Sequence, residues 1–248
     1  MIAFLCAAAA TAGFFDAIAG GGGLIQLPAL LVGLQDKPVV NVLGTNKFAS
    51  IFGTANAANR YRKQVRIDKK FLASMMVPAF FGSMGGAALA SNVPTEQMRV
   101  VVLIALIAIF IYTALNPKLG HEENQQLNYK VAAIAGLGIG FYDGLIGPGT
   151  GSFLILILVA LLGFAFLNAS AMAKVINLCT NLGAILVFGL HGSILWKVGF
   201  LLAIANIAGG LIGATLAIRG GSAFVRKVFL VITTVLIFKV GLDTITMW

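Results

Sequence analysis

Long apolar runs recur along the whole length of this chain. Two examples are VVLIALIAIFIYTAL at 101–115 and FLILILVALLGFAFL at 153–167, and each approaches the roughly 20 apolar residues that cross a bilayer as one helix. Charged residues make up only 10% of the 248 residues, against about 25% in soluble domains. So few charges cannot give every helix a wet face. The sequence therefore predicts an all-α, polytopic membrane protein.

The net charge of +9 comes from basic residues that cluster in a few loops, most clearly RYRKQVRIDKK at 60–70. In a soluble protein this charge would indicate nucleic acid, but in a membrane protein Lys and Arg mark loops on the cytoplasmic side. We therefore expect loop 60–70 to be cytoplasmic, an inner-membrane location and no nucleic-acid partner. Cys6 and Cys179 lie far apart in apolar segments, so no disulfide, metal or cofactor is expected.

The sequence matches itself when it is shifted by 127 positions without a gap. The run GSMGGAALA at 82–90 then falls on GGLIGATLA at 209–217, and charged residues inside apolar segments coincide. This predicts two homologous halves, residues 1–115 and 130–248, joined by a cytoplasmic linker at 116–129. The coinciding pairs are Gly13/Gly140, Phe14/Phe141, Asp16/Asp143, Gly20/Gly147, Gly22/Gly149 and Lys47/Lys174.

Each half is predicted to contain three helices, preceded by a stretch that glycines interrupt. The helices are expected at 39–60, 70–91 and 97–115, and at 168–190, 196–217 and 223–246. If the glycine-broken stretches, 1–34 and 130–167, double back as hairpins, the halves are inverted repeats; a single kinked crossing would make them parallel. Doubling back places 11 basic loop residues on the side of loop 60–70 and 3 on the other, whereas single crossing gives 9 and 5. The charge distribution favours inverted repeats, and the single-crossing alternative remains open.

The glycine turns are candidates for an anion site. A helix that starts after such a turn directs free N–H groups and the positive end of its dipole toward it. The turns at equivalent positions, GGGG and GPGTG, could therefore form an anion cradle, although glycines also serve close helix packing in membranes. The candidate residues are Gly20, Gly21, Gly22, Gly23, Gly147, Gly149 and Gly151.

Two lysines inside apolar helices give a sharper signal. An ammonium group near mid-bilayer costs roughly 2.5–3.5 kcal/mol on insertion scales, so Lys47 and Lys174 need either an interface to reach or a partner. One interpretation is snorkelling or a buried ion pair with Asp16 and Asp143; the other is a pair of cations that binds a small anion, completed by Asn46, Asn177 and Asn181. Asp16 and Asp143 are equally candidates for carrying a proton.

The segments GFFDAIAGGGGLIQLPALL, GTNKFAS, GFYDGLIGPGTGSF and AKVINLCTNLGA resemble the signature segments of the TauE/SafE sulfite and organosulfonate exporter family, in particular its YfcA-type members. The resemblance covers nearly the whole chain. It implies a bacterial inner-membrane secondary transporter, driven by the proton gradient, for a small sulfur anion such as sulfite, a sulfonate or thiosulfate. The expected partners are that anion, protons and lipid, with homo-oligomerisation left open. A passive anion channel is the alternative, and no enzyme motif is present.

Overall fold

The computed structural model describes residues 1–63, 65, 68–90, 107, 110–111, 113–116, 119–120, 125 and 127–245, with the backbone alone at 236, 239–241 and 243–245. Most of the predicted helix at 97–115 and half of the linker at 116–129 lie outside these residues. Throughout the described part the regular structure is helical, without a strand. The helices are α1 (Ile2–Ala19), α2 (Gly23–Gly33), α3 (Val39–Tyr61), α4 (Lys69–Leu89), α5 (Tyr129–Leu145), α6 (Thr150–Ala160), α7 (Phe166–Leu190) and α8 (Trp196–Ile245).

Four of the described helices are long and apolar enough to cross a membrane. They are α1, α4, α7 and the segment Trp196–Val235 of α8. The prediction of an all-helical, multi-pass membrane protein is therefore confirmed. α8 forms a single run, but its backbone leaves the helical region at Gly221, where φ is 66°. This break falls between the two helices predicted at 196–217 and 223–246.

The helix breaks predicted at the glycines are present in both glycine-broken stretches, 1–34 and 130–167. α1 ends at Gly20 with φ of 77°, Gly21 follows with φ of 85°, and α2 then begins at Gly23. These positive φ values belong to a region that glycine adopts without steric cost. α2 runs back along α1, because Gly33 at its end faces Leu5 near the start of α1, and a Cβ on Gly33 would lie 2.7 Å from that side chain.

In the second glycine-broken stretch, 130–167, the chain also reverses its direction at the glycines. α5 gives way at Gly147 and Gly149, with φ of 90° and 85°, to α6. The ring of Phe71 lies 5.6 Å from that of Tyr129 at the start of α5 and 5.7 Å from that of Phe164, just after α6. The beginning of α5 and the end of α6 therefore lie side by side.

Helix boundaries repeat along the chain with the offset found in the sequence. α1, α2, α3 and α4 begin at residues 2, 23, 39 and 69, and α5, α6, α7 and α8 begin 127 positions later, at 129, 150, 166 and 196. Packing crosses between the halves, since α1 packs mainly on α8 and α5 on α4. The main hydrophobic core likewise combines Tyr61 and Phe71 with Phe166 and Phe229. Residues from both halves therefore build one interior.

Candidate functional site

The two glycine turns meet inside the molecule. Gly20 lies against the backbone of Gly151, and a Cβ on Gly23 would lie 3.3 Å from the Cα of Pro148. The Ser152 hydroxyl donates a hydrogen bond of 3.2 Å to the carbonyl of Ala19, which ties the start of α6 to the end of α1. As a result, the N-termini of α2 and α6 open onto the same space.

This space is a small cavity of about 30 Å³, room for about two water molecules. Its lining is mostly polar and takes residues from α1, α3, α5, α7 and α8 as well as from both turns. Ten of the twelve residues predicted to bind substrate line it; Gly20, behind the turn, and Lys174 do not. The lining consists of the predicted Gly21, Gly22, Gly23, Asn46, Lys47, Gly147, Gly149, Gly151, Asn177 and Asn181, the two predicted carboxylates Asp16 and Asp143, and also Ser50, Thr150 and Asn206.

Two buried ion pairs cross between the halves at this cavity. The Nζ of Lys47 lies 2.6 Å from Oδ1 of Asp143, and the Nζ of Lys174 lies 2.8 Å from Oδ2 of Asp16. Lys47 is 4% exposed and Lys174 is fully buried, so neither lysine snorkels to an interface. The ion pairing left open by the sequence is present, and each lysine takes its partner from the other half.

The two pairs differ in their relation to the cavity. Lys47 and Asp143 both line it, whereas the second pair presents only Asp16, with Lys174 behind. Both oxygens of Asp16 are engaged, because Oδ1 accepts a hydrogen bond of 3.4 Å from the Gly22 amide and Oδ2 accepts one from Lys174. Within the described structure, Oδ2 of Asp143 is buried and has no donor.

The electrostatic balance of the site is slightly positive. The two lysines and two aspartates cancel when all four are charged, while each helix N-terminus contributes roughly half a positive charge. The dipoles of α2 and α6 therefore add about one positive charge to a neutral set of side chains. Oδ1 of Asn46 also lies buried without a donor within the described part of the chain, so the cavity wall holds two oxygens that lack a hydrogen-bond donor.

Asn206 is a lining residue that the sequence analysis missed. Its Nδ2 donates to the carbonyl of Ala9 at 3.2 Å and to Oε1 of the buried Gln26 at 2.9 Å, which joins α8 to α1 and α2. The residue 127 positions before Asn206 is Ala79, and the residue 127 positions after Gln26 is Phe153. Because these equivalent residues are apolar, a search for polar residues that match between the halves finds neither Asn206 nor Gln26. The available signal was a lone amide in the apolar run LLAIANIAGG.

Comparison with known proteins identifies a family. The model of the family described as sulfite exporter TauE/SafE matches residues 5–240. A probable membrane transporter protein, ORF9, from Sinorhizobium is 36% identical over 245 residues, covering 98% of this chain and 93% of the relative. The probable membrane transporter protein YfcA of Escherichia coli K12 is 37% identical over 237 residues, covering 94% and 87%. A probable membrane transporter protein of Haemophilus influenzae is 35% identical over 245 residues, covering 98% and 95%. No solved structure matches the chain.

Proposed function

Because the chain belongs to the sulfite exporter TauE/SafE family, we propose that it is a secondary transporter for a small sulfur-containing anion of the sulfite, sulfonate or thiosulfate type in the bacterial inner membrane. The observation that carries this proposal is the polar cavity between two helix N-termini, with Lys47 in its wall. Helix N-termini and a lysine ammonium both favour oxyanions.

The anion is held by groups from both halves. The amides of Gly23 and Gly151 lie at helix starts, where N–H groups lack acceptors inside their own helix, and they supply donors to the anion. The neighbouring amides of Leu24 and Thr150 already donate to the carbonyls of Gly21 and Gly147. The Lys47 ammonium has three N–H donors. One of them points to Asp143, so the others can donate hydrogen bonds to the anion. The side-chain amides of Asn177 and Asn181 complete the cradle from α7.

Proton coupling is assigned to Asp143. Binding an anion beside two carboxylates is unfavourable, and protonation of one carboxylate releases the positive charge of its lysine for the anion. Oδ2 of Asp143 lacks a donor in the described structure and can take up a proton, whereas both oxygens of Asp16 are occupied by the Gly22 amide and Lys174. Asp16 and Lys174 therefore act as positioning residues that hold the α2 turn.

Alternating access follows from the repeated architecture. The common offset of 127 in the helix starts, together with hairpins that reverse at the glycines, supports two inverted repeats. In such transporters one repeat rocks against the other around a central site. A passive channel instead needs a continuous polar path, and Gly53 packs closely against Asn206 between the part of α3 that lines the cavity and its basic end.

The test is anion flux into proteoliposomes that contain the purified protein, with and without an imposed pH gradient. We expect saturable flux of sulfite, thiosulfate or a small sulfonate that the gradient accelerates and that K47M strongly reduces. Flux that does not change with the pH gradient would contradict proton coupling. Single-channel currents would show that the protein is a channel instead. The surface variant K197Q is the control for loss of one positive charge outside the site.

A further inference from the structure

A second cavity lies along the same pair of helices as the central one. Its volume is about 620 Å³, and it opens between the last turns of α3 and the middle of α8. Asn46 and Ser50 of α3 line the central cavity, while Asn56 and Asn59 of the same helix line the second. The complete lining is Asn56, Asn59, Arg60, Lys63, Leu211, Thr215, Ile218 and Arg219.

The charges of this cavity are uncompensated within the described structure. Arg60, Lys63 and Arg219 line it, and the ion pairs found among the described residues are the two of the central site. Arg60 is held by a neutral group, since its Nη1 donates to the Thr215 hydroxyl at 2.6 Å across the cavity. In the described structure its positive charge is therefore not neutralised by a carboxylate.

The internal repeat provides a built-in comparison for this feature. The residues 127 positions after Asn56, Asn59, Arg60 and Lys63 are Gly183, Leu186, Val187 and Leu190, so the matching stretch of α7 is apolar. The preference for Lys and Arg on the cytoplasmic side explains the cations at the helix end. It does not explain two asparagines and a cavity where the other half has glycine and leucine.

α3 and α8 pack closely at residues that lie between the linings of the two cavities. A Cβ on Gly53 would overlap the side-chain Oδ1 of Asn206 and lie 2.9 Å from its carbonyl oxygen, and one on Gly210 would lie 3.1 Å from the carbonyl oxygen of Gly53. Asn206 thus belongs both to the wall of the central cavity and to this contact. A small separation of α3 from α8 at these glycines would join the two spaces.

From these observations we infer that the second cavity is an oxyanion-binding vestibule on the side of loop 60–70, through which the transported anion reaches the central site when α3 and α8 part at Gly53 and Gly210. This inference rests on the proposed function. The ligand chemistry is a sulfonate or sulfite group, and the phosphate of an anionic lipid presents similar oxygens. We assign the cavity to the free anion, because its uncompensated cations can raise the local anion concentration and the rate of encounter.

The first test does not depend on transport. In a C6A/C179A background, N56C is labelled in neutral detergent with two methanethiosulfonates, one bearing a sulfonate and one a trimethylammonium group, and both rates are normalised to a free thiol. We expect the sulfonate reagent to react about tenfold faster, within the range of electrostatic steering, and methanesulfonate to slow it. The preference should fall in K63Q/R219Q and persist in K69Q/K70Q, which removes the same charge from the same loop outside the cavity.

Several outcomes would overturn the vestibule. Equal rates for the two reagents, or an equal effect of K63Q/R219Q and K69Q/K70Q, would leave only a diffuse surface charge. A preference present in phosphatidylcholine vesicles but absent when phosphatidylglycerol is included would assign the cavity to a lipid headgroup. If K63Q/R219Q does not fold, the same test is made on N56C with the wild-type cations. Added salt screens these cations, so the preference for the sulfonate reagent must then shrink as the salt concentration rises.

Transport kinetics supply the second arm. With the anion presented on the side of loop 60–70, K63Q/R219Q should raise the KM about tenfold through slower encounter and leave the maximal rate unchanged. A reduced maximal rate with unchanged KM would contradict a docking role. If the sulfonate reagent is preferred at N56C but the protein transports no anion, the vestibule is supported and the proposed transporter function is contradicted.

Discussion

Lys47 and Lys174 occupy equivalent positions in the two halves, yet their surroundings differ. Both pair with an aspartate of the opposite half, but Lys47 borders the cavity, while Lys174 is fully buried behind Asp16. One pair is therefore available to a ligand and the other holds a turn in place. The chain contains its own matched control, since the same substitution can be made in either pair.

The Lys174–Asp16 pair should matter most for stability. D16N leaves a fully buried ammonium without a countercharge, and breaking a buried pair in this way costs about 3–5 kcal/mol. D16N/K174M should recover most of the loss, because replacing a whole buried pair by neutral groups is often close to neutral. Unfolding of the purified protein in detergent measures both values. A double variant no more stable than D16N would contradict a simple ion pair.

The Lys47–Asp143 pair should matter most for transport. K47M/D143N removes an ammonium donor and the proposed proton site, and the loss of one charged hydrogen bond to the anion corresponds to about a 10–100-fold rise in KM. D143N alone should retain exchange of anion across the membrane but lose acceleration by the pH gradient. Flux assays on these variants and on D16N/K174M compare the two pairs directly. Equal loss in both pairs would show that they act as one unit.

At the scale of single residues, the repeat explains what the sequence could predict. Lysines and aspartates inside apolar helices stand out because each has an equivalent 127 positions away. Which lysine meets which aspartate depends on how the helices pack, and no spacing within one chain segment specifies that. Asn206 and Gln26 were missed because their interaction joins α8 to α2 and has no equivalent in the other half.

At the scale of elements, the glycine turns decide the course of the chain. A run of four glycines cannot continue a helix well, since each glycine costs about 1 kcal/mol relative to alanine there, and this made the break at 20–23 predictable. The contact between the two turns was only a hypothesis at that stage, because it depends on the fit of Gly20 against Gly151. The residues that line the cavity follow from that contact.

Gly20→Ala tests the first turn. Gly20 has φ of 77°, where a side chain costs about 1–2 kcal/mol, and the new Cβ would overlap the backbone of Gly151 and Ser152. We expect a loss of at least about 2 kcal/mol in unfolding free energy together with loss of anion binding. Gly138→Ala is the control, since a Cβ there meets nothing within 4 Å and its position inside α5 should gain up to about 1 kcal/mol. Similar stability changes in the two variants would contradict a specific role for the turn.

At the scale of the molecule, the halves complete each other. The two halves are joined by both ion pairs and by the Asn206–Gln26 hydrogen bond. They are also joined by the packing of α1 on α8 and of α5 on α4. A chain cut within 116–129 should therefore yield fragments that are degraded when expressed singly and that assemble when expressed together. Copurification and protease resistance of the fragments measure this. A stable, monomeric first half on its own would contradict a shared interior.

The shortness of α2 and α6 has an electrical consequence. Each helix has 11 residues, or about 16 Å of length, against a hydrocarbon thickness of about 30 Å. An anion held at their N-termini would have crossed about half of the membrane voltage. A potential of 100 mV then contributes about 1 kcal/mol per unit charge to its arrival and a similar amount to its departure, so voltage acts on both steps of the cycle.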